Sequence, residues 1–307
     1  MPKTYVKRSI LIDSPIEKIF PLVNDFANWT AWSPWAILEK EAKINVKEDG
    51  KFFDWQGARI GSGNMTITSE KTNESVYVDL TFLKPWKSYA KVIYNFKKVN
   101  NSTEVTWELH SSLPFFMFWM KQMMQNMVGM DFDRGLKMLK DLSEKGHVPC
   151  ELELEKSASF KSKHFIGYST TSPMGKMSNV MSEKTPMIQT FIKENNLVAN
   201  GEMVSIYHKW DMKNMTTTFT TGAFVESIPE NLAPGMESGK IENSSVNLVR
   251  LIGDYEHLAN AWSMQMMMQR NMEFKHNKKQ DPFEVYKNSP FNTASEELIT
   301  EVMFPIV

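Results

Sequence analysis

The sequence has one cysteine, Cys150, among 307 residues, which excludes an intrachain disulfide and any thiolate cluster around zinc and fits a reducing cytosol. Neither sign of charge is in excess. Lys+Arg 35 against Asp+Glu 36 leave a formal net charge of -1, so nothing electrostatic calls for nucleic acid or an anionic membrane as partner. No apolar run reaches the roughly 18 residues of a membrane-spanning helix. The opening Met1-Pro-Lys-Thr-Tyr-Val-Lys-Arg8 leads into a short alternating run rather than the apolar core of a signal peptide. Also missing are a glycine-rich phosphate loop, a metal-ligand cluster and a Gly-x-Ser-x-Gly elbow, which argues against nucleotide-driven or metal-dependent chemistry. No segment reads as a helix-turn-helix. These absences predict a cytoplasmic protein with no cofactor, no metal, no nucleic-acid partner and no membrane insertion.

What is present is an ordinary globular composition, 42% hydrophobic and 23% charged, long enough for about two domains. Methionine is abundant, with 23 residues, and concentrates in Met117–Met138 and Met264–Met272. Such runs serve equally as gap fillers in a core and as adaptable binding surfaces.

In the first half, Tyr5 to Ile12 alternates as a strand, and Asp13-Ser-Pro15 supplies a helix start ahead of Ile16, Ile19, Phe20 and Val23 at helical spacing. Asn24–Trp35 is expected to hold a short second helix. Between Lys43 and Ser112 come β-like runs, including 63–69, 75–82, 89–98 and 104–110, which predict an antiparallel meander. From Pro114 to Lys145 the period becomes helical, with Phe116, Met117, Met120, Met124, Met127 and Met130 on one stripe continued by Leu136, Leu139 and Leu142. Val6–Phe20 and the Asn24–Trp35 segment, followed by this meander and one long helix, resemble the helix-grip or START-like fold of the SRPBCC superfamily, which includes polyketide cyclase-like proteins. The resemblance implies a sheet wrapped around the long helix and a cavity for lipids, polyketides or other hydrophobic molecules. Trp55, Tyr77, Tyr94 and Trp107 either line such a cavity beside the Met117–Met127 stripe or fill a plain core.

Glu144-Lys-Gly-His-Val-Pro149 ends the helix with glycine and proline, which places a boundary near 147/148. Beyond it the runs 164–170, 176–195, 203–210 and 216–225 read as strand, helix, strand, strand. The runs 246–252, 255–275, 283–286 and 298–304 repeat that order. Two βαββ units predict a pseudo-twofold domain with a cleft between its halves. Phe283-Glu-Val-Tyr286 alternates, so Glu284 lies either on a solvated face or, as an ionisable group, in an apolar pocket. In the second case its ionised form costs several kcal/mol, and it must be protonated, paired or held for a ligand.

Leu251-Ile-Gly-Asp-Tyr-Glu-His-Leu-Ala-Asn-Ala-Trp262, Pro282-Phe-Glu-Val-Tyr286, Asn288-Ser-Pro290 and Glu297–Val307 together are similar to the GyrI-like (AraC-type) effector-binding domain of multidrug sensors. The resemblance implies that Glu284 sits at the bottom of an aromatic pocket, where it meets lipophilic cations or, in one hydrolytic subgroup, assists catalysis with a tyrosine. It also matches Trp262 to an aromatic position on the second helix, and Glu301, in Thr-Glu-Val, to the family pattern, although Glu301 is expected to serve strand pairing or the fold. Tyr168, Tyr207 and Tyr255 are further candidates, with either face open to the strand tyrosines.

The expected architecture is therefore α+β, with a helix-grip domain at 1–147 and a duplicated βαββ domain at 148–307. The expected function is binding of hydrophobic small molecules, cations included, with Glu284 as counter-charge. A hydrolase using Glu284 with Tyr168 or Tyr207, and a lipid carrier working through Trp55, Tyr94 and Trp107, are the alternatives.

Overall fold

The computed structural model describes residues 3–113 and 115–307, with backbone only at Phe115 and Phe116. Two expected features, Pro114 and the Phe116 side chain at the head of the apolar stripe, lie outside the described residues. The chain divides into two compact units, Met1–Pro149 and Cys150–Val307.

In the first unit, β1 (Lys3–Ile12), β2 (Lys43–Val46), β3 (Phe52–Gln56), β4 (Ser62–Lys71), β5 (Ser75–Lys84), β6 (Ser88–Val99) and β7 (Ser102–Ser112) form one antiparallel sheet. Its order is β1-β7-β6-β5-β4-β3-β2, so each hairpin adds a strand and β1 closes on the far side of β7. Helix α1 (Ile16–Asn24) buries Ile19, Phe20 and Val23, three of the four residues its periodicity marked, and leaves Ile16 half-buried. The expected second helix is instead two 3-10 turns, Phe26–Ala31 and Ala36–Leu38. Asp25 starts the first of them by accepting from the Ala27 N–H at 2.8 Å. The long helix α2 (Lys121–Lys145) ends at Gly146, whose φ of 83° lets its N–H reach back to the Leu142 carbonyl.

In the second unit, eight strands form one antiparallel sheet. They are β8 (Cys150–Phe160), β9 (Lys163–Pro173), β10 (Met203–Asp211), β11 (Thr216–Val225), β12 (Glu237–Ile241), β13 (Ser244–Gly253), β14 (Phe283–Tyr286) and β15 (Ile299–Pro305). The order β12-β9-β11-β10-β14-β15-β13-β8 is symmetric about the β10/β14 pair, and the duplication is visible in that symmetry. Helices α3 (Met177–Glu194) and α4 (Leu258–Arg270) complete the two halves. Helix α4 is shorter than the 255–275 expected. Tyr255–His257 is a 3-10 turn, and Met272 takes a φ of 58°, which ends the helix. The edge strand β12 has no counterpart among the expected elements.

The faces of this sheet explain the second unit. Phe283 and Val285 of β14 join Val204, Ile206, Phe224, Val246, Leu248 and Met303 in one apolar cluster. Glu284 and Tyr286 project to the opposite face by the strand period of two.

Candidate functional site

Helix α4 covers that opposite face, and Glu284 is only 1% exposed, so the solvated placement is excluded. A buried polar network seats the helix. Gln265 donates to the carbonyls of Asn247 and Val302 at 2.7 and 2.9 Å, and accepts from the Asn247 amide at 2.8 Å. One turn earlier, Trp262 points its indole N–H at Glu284 Oε1, and the two form a close hydrogen bond. Tyr286, two residues along the same strand face, donates to Glu284 Oε2 at 2.6 Å. Tyr207 supplies a third hydrogen bond.

The aromatic wall extends from these donors. Tyr207 meets Trp262 edge-on at 4.7 Å between ring centroids and stacks on Trp210 at 4.9 Å. Trp262 packs on Phe304 at 5.4 Å, and Tyr255 lies edge-on to Tyr286 at 5.5 Å. From α3, the Met181 sulfur lies 3.6 Å from the Tyr286 hydroxyl.

Burial holds the Glu284 carboxyl above its ordinary pKa, although hydrogen bonds from Tyr286, Trp262 and Tyr207 favour the ionised form. Burial and then the Glu284 charge push Tyr207 and Tyr286 well above the usual tyrosine value and Tyr255 to about 12. The three hydrogen-bond partners of the carboxylate are neutral, so they solvate its charge without cancelling it. A cation brought to about 4 Å gains on the order of 4 kcal/mol at an effective dielectric of about 20.

The structure thus brings Glu284, Trp262, Tyr207 and Tyr255 together. It does not bring Tyr168 to them. The register pairs Glu284 with Ser205, Ser205 with Thr221 and Thr221 with Tyr168, which puts Tyr168 on the same face but three strands away. At about 4.8 Å per strand that is roughly 14 Å of backbone separation. Its ring packs with Ile166, Ile188 and Val225 and borders a groove of ≈ 400 Å³ beside Pro186, Met187 and Phe191 of α3.

Tyr286 and Trp210 were not among the expected site residues. Tyr286 was findable, because residues i and i+2 of a strand share a face. Trp210 was not, because three residues from Tyr207 is the wrong parity. A β-bulge between Tyr207 and Lys209 corrects it, leaving His208 as the extra residue and turning Trp210 onto the face of Tyr207. His208 is held there by Asp281 and Thr220, each at 2.7 Å.

The residues expected around a cavity in the first unit are placed differently. Trp107, 2% exposed, stacks on Phe132 of α2 at 4.0 Å and 11°, and Trp29, Trp32, Trp35 and Tyr94 surround it within 6.0 Å. Gly135 permits that approach, since a Cβ there would lie 2.8 Å from the Trp107 ring. Tyr94 and Trp107 are therefore packed core rather than the wall of an open cavity. Trp55 is half-buried, meets Phe82 edge-on at 6.0 Å and donates to the Ile60 carbonyl at 3.2 Å. Tyr77 is exposed on the outer face. The Met117–Met127 stripe is not buried either, and full burial on α2 begins only at Gly129.

Among the described residues no group of three or more His, Cys, Asp or Glu side chains could hold a metal ion, and no helix is long and apolar enough to cross a membrane.

Residues 3–144 match the family described as polyketide cyclase / dehydrase and lipid transport, and residues 159–307 match the GyrI-like small molecule binding domain. A search of curated proteins found no match. Among solved structures, the EcmrR C-terminal domain is 18% identical over 52% of this chain and 98% of its own, with a TM-score of 0.44. Protein MLL2253 from Mesorhizobium loti is 12% identical over 46% and 97%, with a TM-score of 0.36. The Aha1 dimer from Colwellia psychrerythraea is 19% identical over 47% and 98%, with a TM-score of 0.35. The chain joins a domain of the polyketide cyclase / dehydrase and lipid transport family to a GyrI-like small molecule binding domain.

Proposed function

We propose that the GyrI-like domain binds a lipophilic cation at Glu284, between the rings of Tyr207, Trp262, Tyr286 and Tyr255. One observation carries this reading: a carboxylate 1% exposed, whose hydrogen-bond partners are all neutral aromatic donors. Aromatic faces attract cations as well, so the site favours positive charge twice. The Trp262 and Tyr286 contacts close the site, so a ligand has to take the place of at least one of them at the carboxylate.

The test is a thermal-shift and calorimetric comparison of tetraphenylphosphonium with the neutral triphenylphosphine oxide. A ligand that binds the folded state raises the apparent Tm. The cation is expected to bind the natural protein and to lose at least about tenfold in affinity in Glu284→Gln, as removal of one close charge implies. Equal binding of both compounds, or equal affinity of the variant for the cation, refutes the reading.

The Tyr286 hydroxyl at 2.6 Å from the same carboxyl favours a second reading, hydrolysis of a small lipophilic compound with Glu284 as base. In that case turnover disappears in Glu284→Gln and falls in Tyr286→Phe, whereas Tyr168→Phe leaves it unchanged.

A further inference from the structure

One end of the first unit combines exposed aromatic rings with lysines on turns that carry no acids of their own. The Glu39 carboxylate, held in the neighbouring 57–61 turn, is buried and bound by the Ala58, Arg59 and Ile60 N–H groups. The β5–β6 turn presents Leu83, Trp86 and Tyr89, exposed by 48%, 48% and 61%. Strand β7 runs alongside β6, with Ser111 donating to the Tyr89 carbonyl at 2.7 Å, and then leads into the 3-10 turn Phe115–Met120. That turn presents Phe118 and Trp119, exposed by 60% and 69%, and Met127 follows on α2 at 44%. Large apolar side chains this exposed, carried by the β5–β6 turn and by the turn that follows its neighbouring strand β7, mark an interaction surface rather than scattered exposure.

Charge selects the partner. Sequence 80–103 contains no Asp or Glu, and neither does 109–130. Lys84 and Lys87 stand in the β5–β6 turn, Lys87 lying 5.5 Å over the Tyr89 ring, and Lys121 follows the aromatic turn. Lys3 enters at the same end, paired in register with Ser112. The nearest carboxylate on the hairpin, Asp79, is already taken by Lys91 at 3.8 Å. The tip is also firmly seated. Gly61, at a φ of 69°, lets the 57–61 turn close on the Lys84 carbonyl, where a Cβ would come within 2.5 Å.

We infer that this end docks on a bilayer surface rich in anionic lipid, with Trp86, Trp119, Phe118 and Tyr89 at headgroup depth and Lys84, Lys87 and Lys121 on the lipid phosphates. Tryptophan and tyrosine suit that depth because one edge is apolar and the other wet. Lysines beside them add an attraction that salt screens. The net charge of the whole chain averages this local imbalance away. Docking here needs no membrane-spanning segment.

The experiment is co-sedimentation of the full chain with vesicles of phosphatidylcholine alone or mixed with phosphatidylglycerol, at low and high salt. Quenching of tryptophan emission by brominated lipid runs in parallel. The expected result is binding to the anionic vesicles only, reduced by salt. Lys84→Glu/Lys87→Glu should weaken it by at least about tenfold. Trp86→Ala/Trp119→Ala should abolish most of the quenching, with Tm and circular dichroism unchanged. Failure to sediment with either vesicle, or unaltered binding of the variants, overturns the inference. So does a dimer that ignores vesicles and dissociates in Trp86→Ala/Trp119→Ala, since the same patch would then be a protein interface.

Discussion

The two domains each centre on a cluster of aromatic rings, and the clusters differ by one carboxyl group. In the first, Trp107 is wedged among Trp29, Trp32, Trp35, Tyr94 and Phe132, with no acidic side chain among these rings. In the second, Tyr207, Trp262 and Tyr286 turn their N–H and O–H groups inward onto Glu284. An all-aromatic cluster is stable through dispersion and area burial, and so fills its own space. A buried carboxyl needs donors and resists ionisation, so it stores a preference that a ligand can satisfy. Packed rings are therefore poor evidence of a binding site, whereas rings aimed at a charge are good evidence.

The comparison can be broken first at its packed end. Trp107→Ala is expected to cost the first domain about 3–5 kcal/mol, read by chemical denaturation. A loss below about 1 kcal/mol would mean that the cluster is loosely filled and that a cavity reading must return.

At the other end, Tyr286→Phe removes a hydrogen bond to a carboxylate, worth about 1.5–3 kcal/mol where Glu284 is ionised. The variant should be visibly less stable at pH 8 and closer to the natural protein at pH 4. It should also raise the Glu284 pKa further.

The pH dependence sharpens the contrast. The folded pKa of Glu284 is raised, so its contribution to stability is fully present below the ordinary glutamate value and declines as pH rises through the folded pKa. Glu284→Gln should remove that decline, measured as unfolding free energy from pH 4 to 9. Cation affinity should run the other way and rise over the same interval, because ionisation creates the counter-charge.

The smallest effect is expected at Glu202. Burial alone would raise its pKa, but hydrogen bonds from Lys163, Lys287 and Asn200 outweigh that and hold it at about 2. Its stabilisation is present above the ordinary glutamate value and lost as pH falls through about 2. Glu202→Gln should flatten acid unfolding slightly between pH 5 and 2, by an amount limited by solvent screening.

Much of this was legible in the residues. Alternation located β1, β4–β7 and the paired strands of both βαββ units, and the glycine-proline stop located the end of α2. The Glu284 and Trp262 motifs led to a site where the structure joins them by a hydrogen bond. What was missed has physical causes. Trp210 reaches the site through a bulge, which interrupts the period-two rule at His208. The Asn24–Trp35 segment, rich in bulky rings, settles into 3-10 turns because tertiary packing outweighs local helix preference. Net charge concealed the acid-free stretches 80–103 and 109–130 of the first domain, because a sum carries no positions.

The sequence by itself determined most of the strands and helices α1–α4 in their order, though not the 3-10 turns of 26–38 or the edge strand β12. It also determined that Glu284 and Tyr286 share a strand face opposite Phe283 and Val285. Only the tertiary structure decided that α4 covers that face, that the Trp107 cluster is filled, and that Tyr168 stands three strands from the carboxyl. Strand and helix periods are short-range properties of the backbone, readable from neighbouring residues. Burial and the meeting of distant side chains depend on which surfaces cover one another, and that is settled only when the whole sheet is assembled.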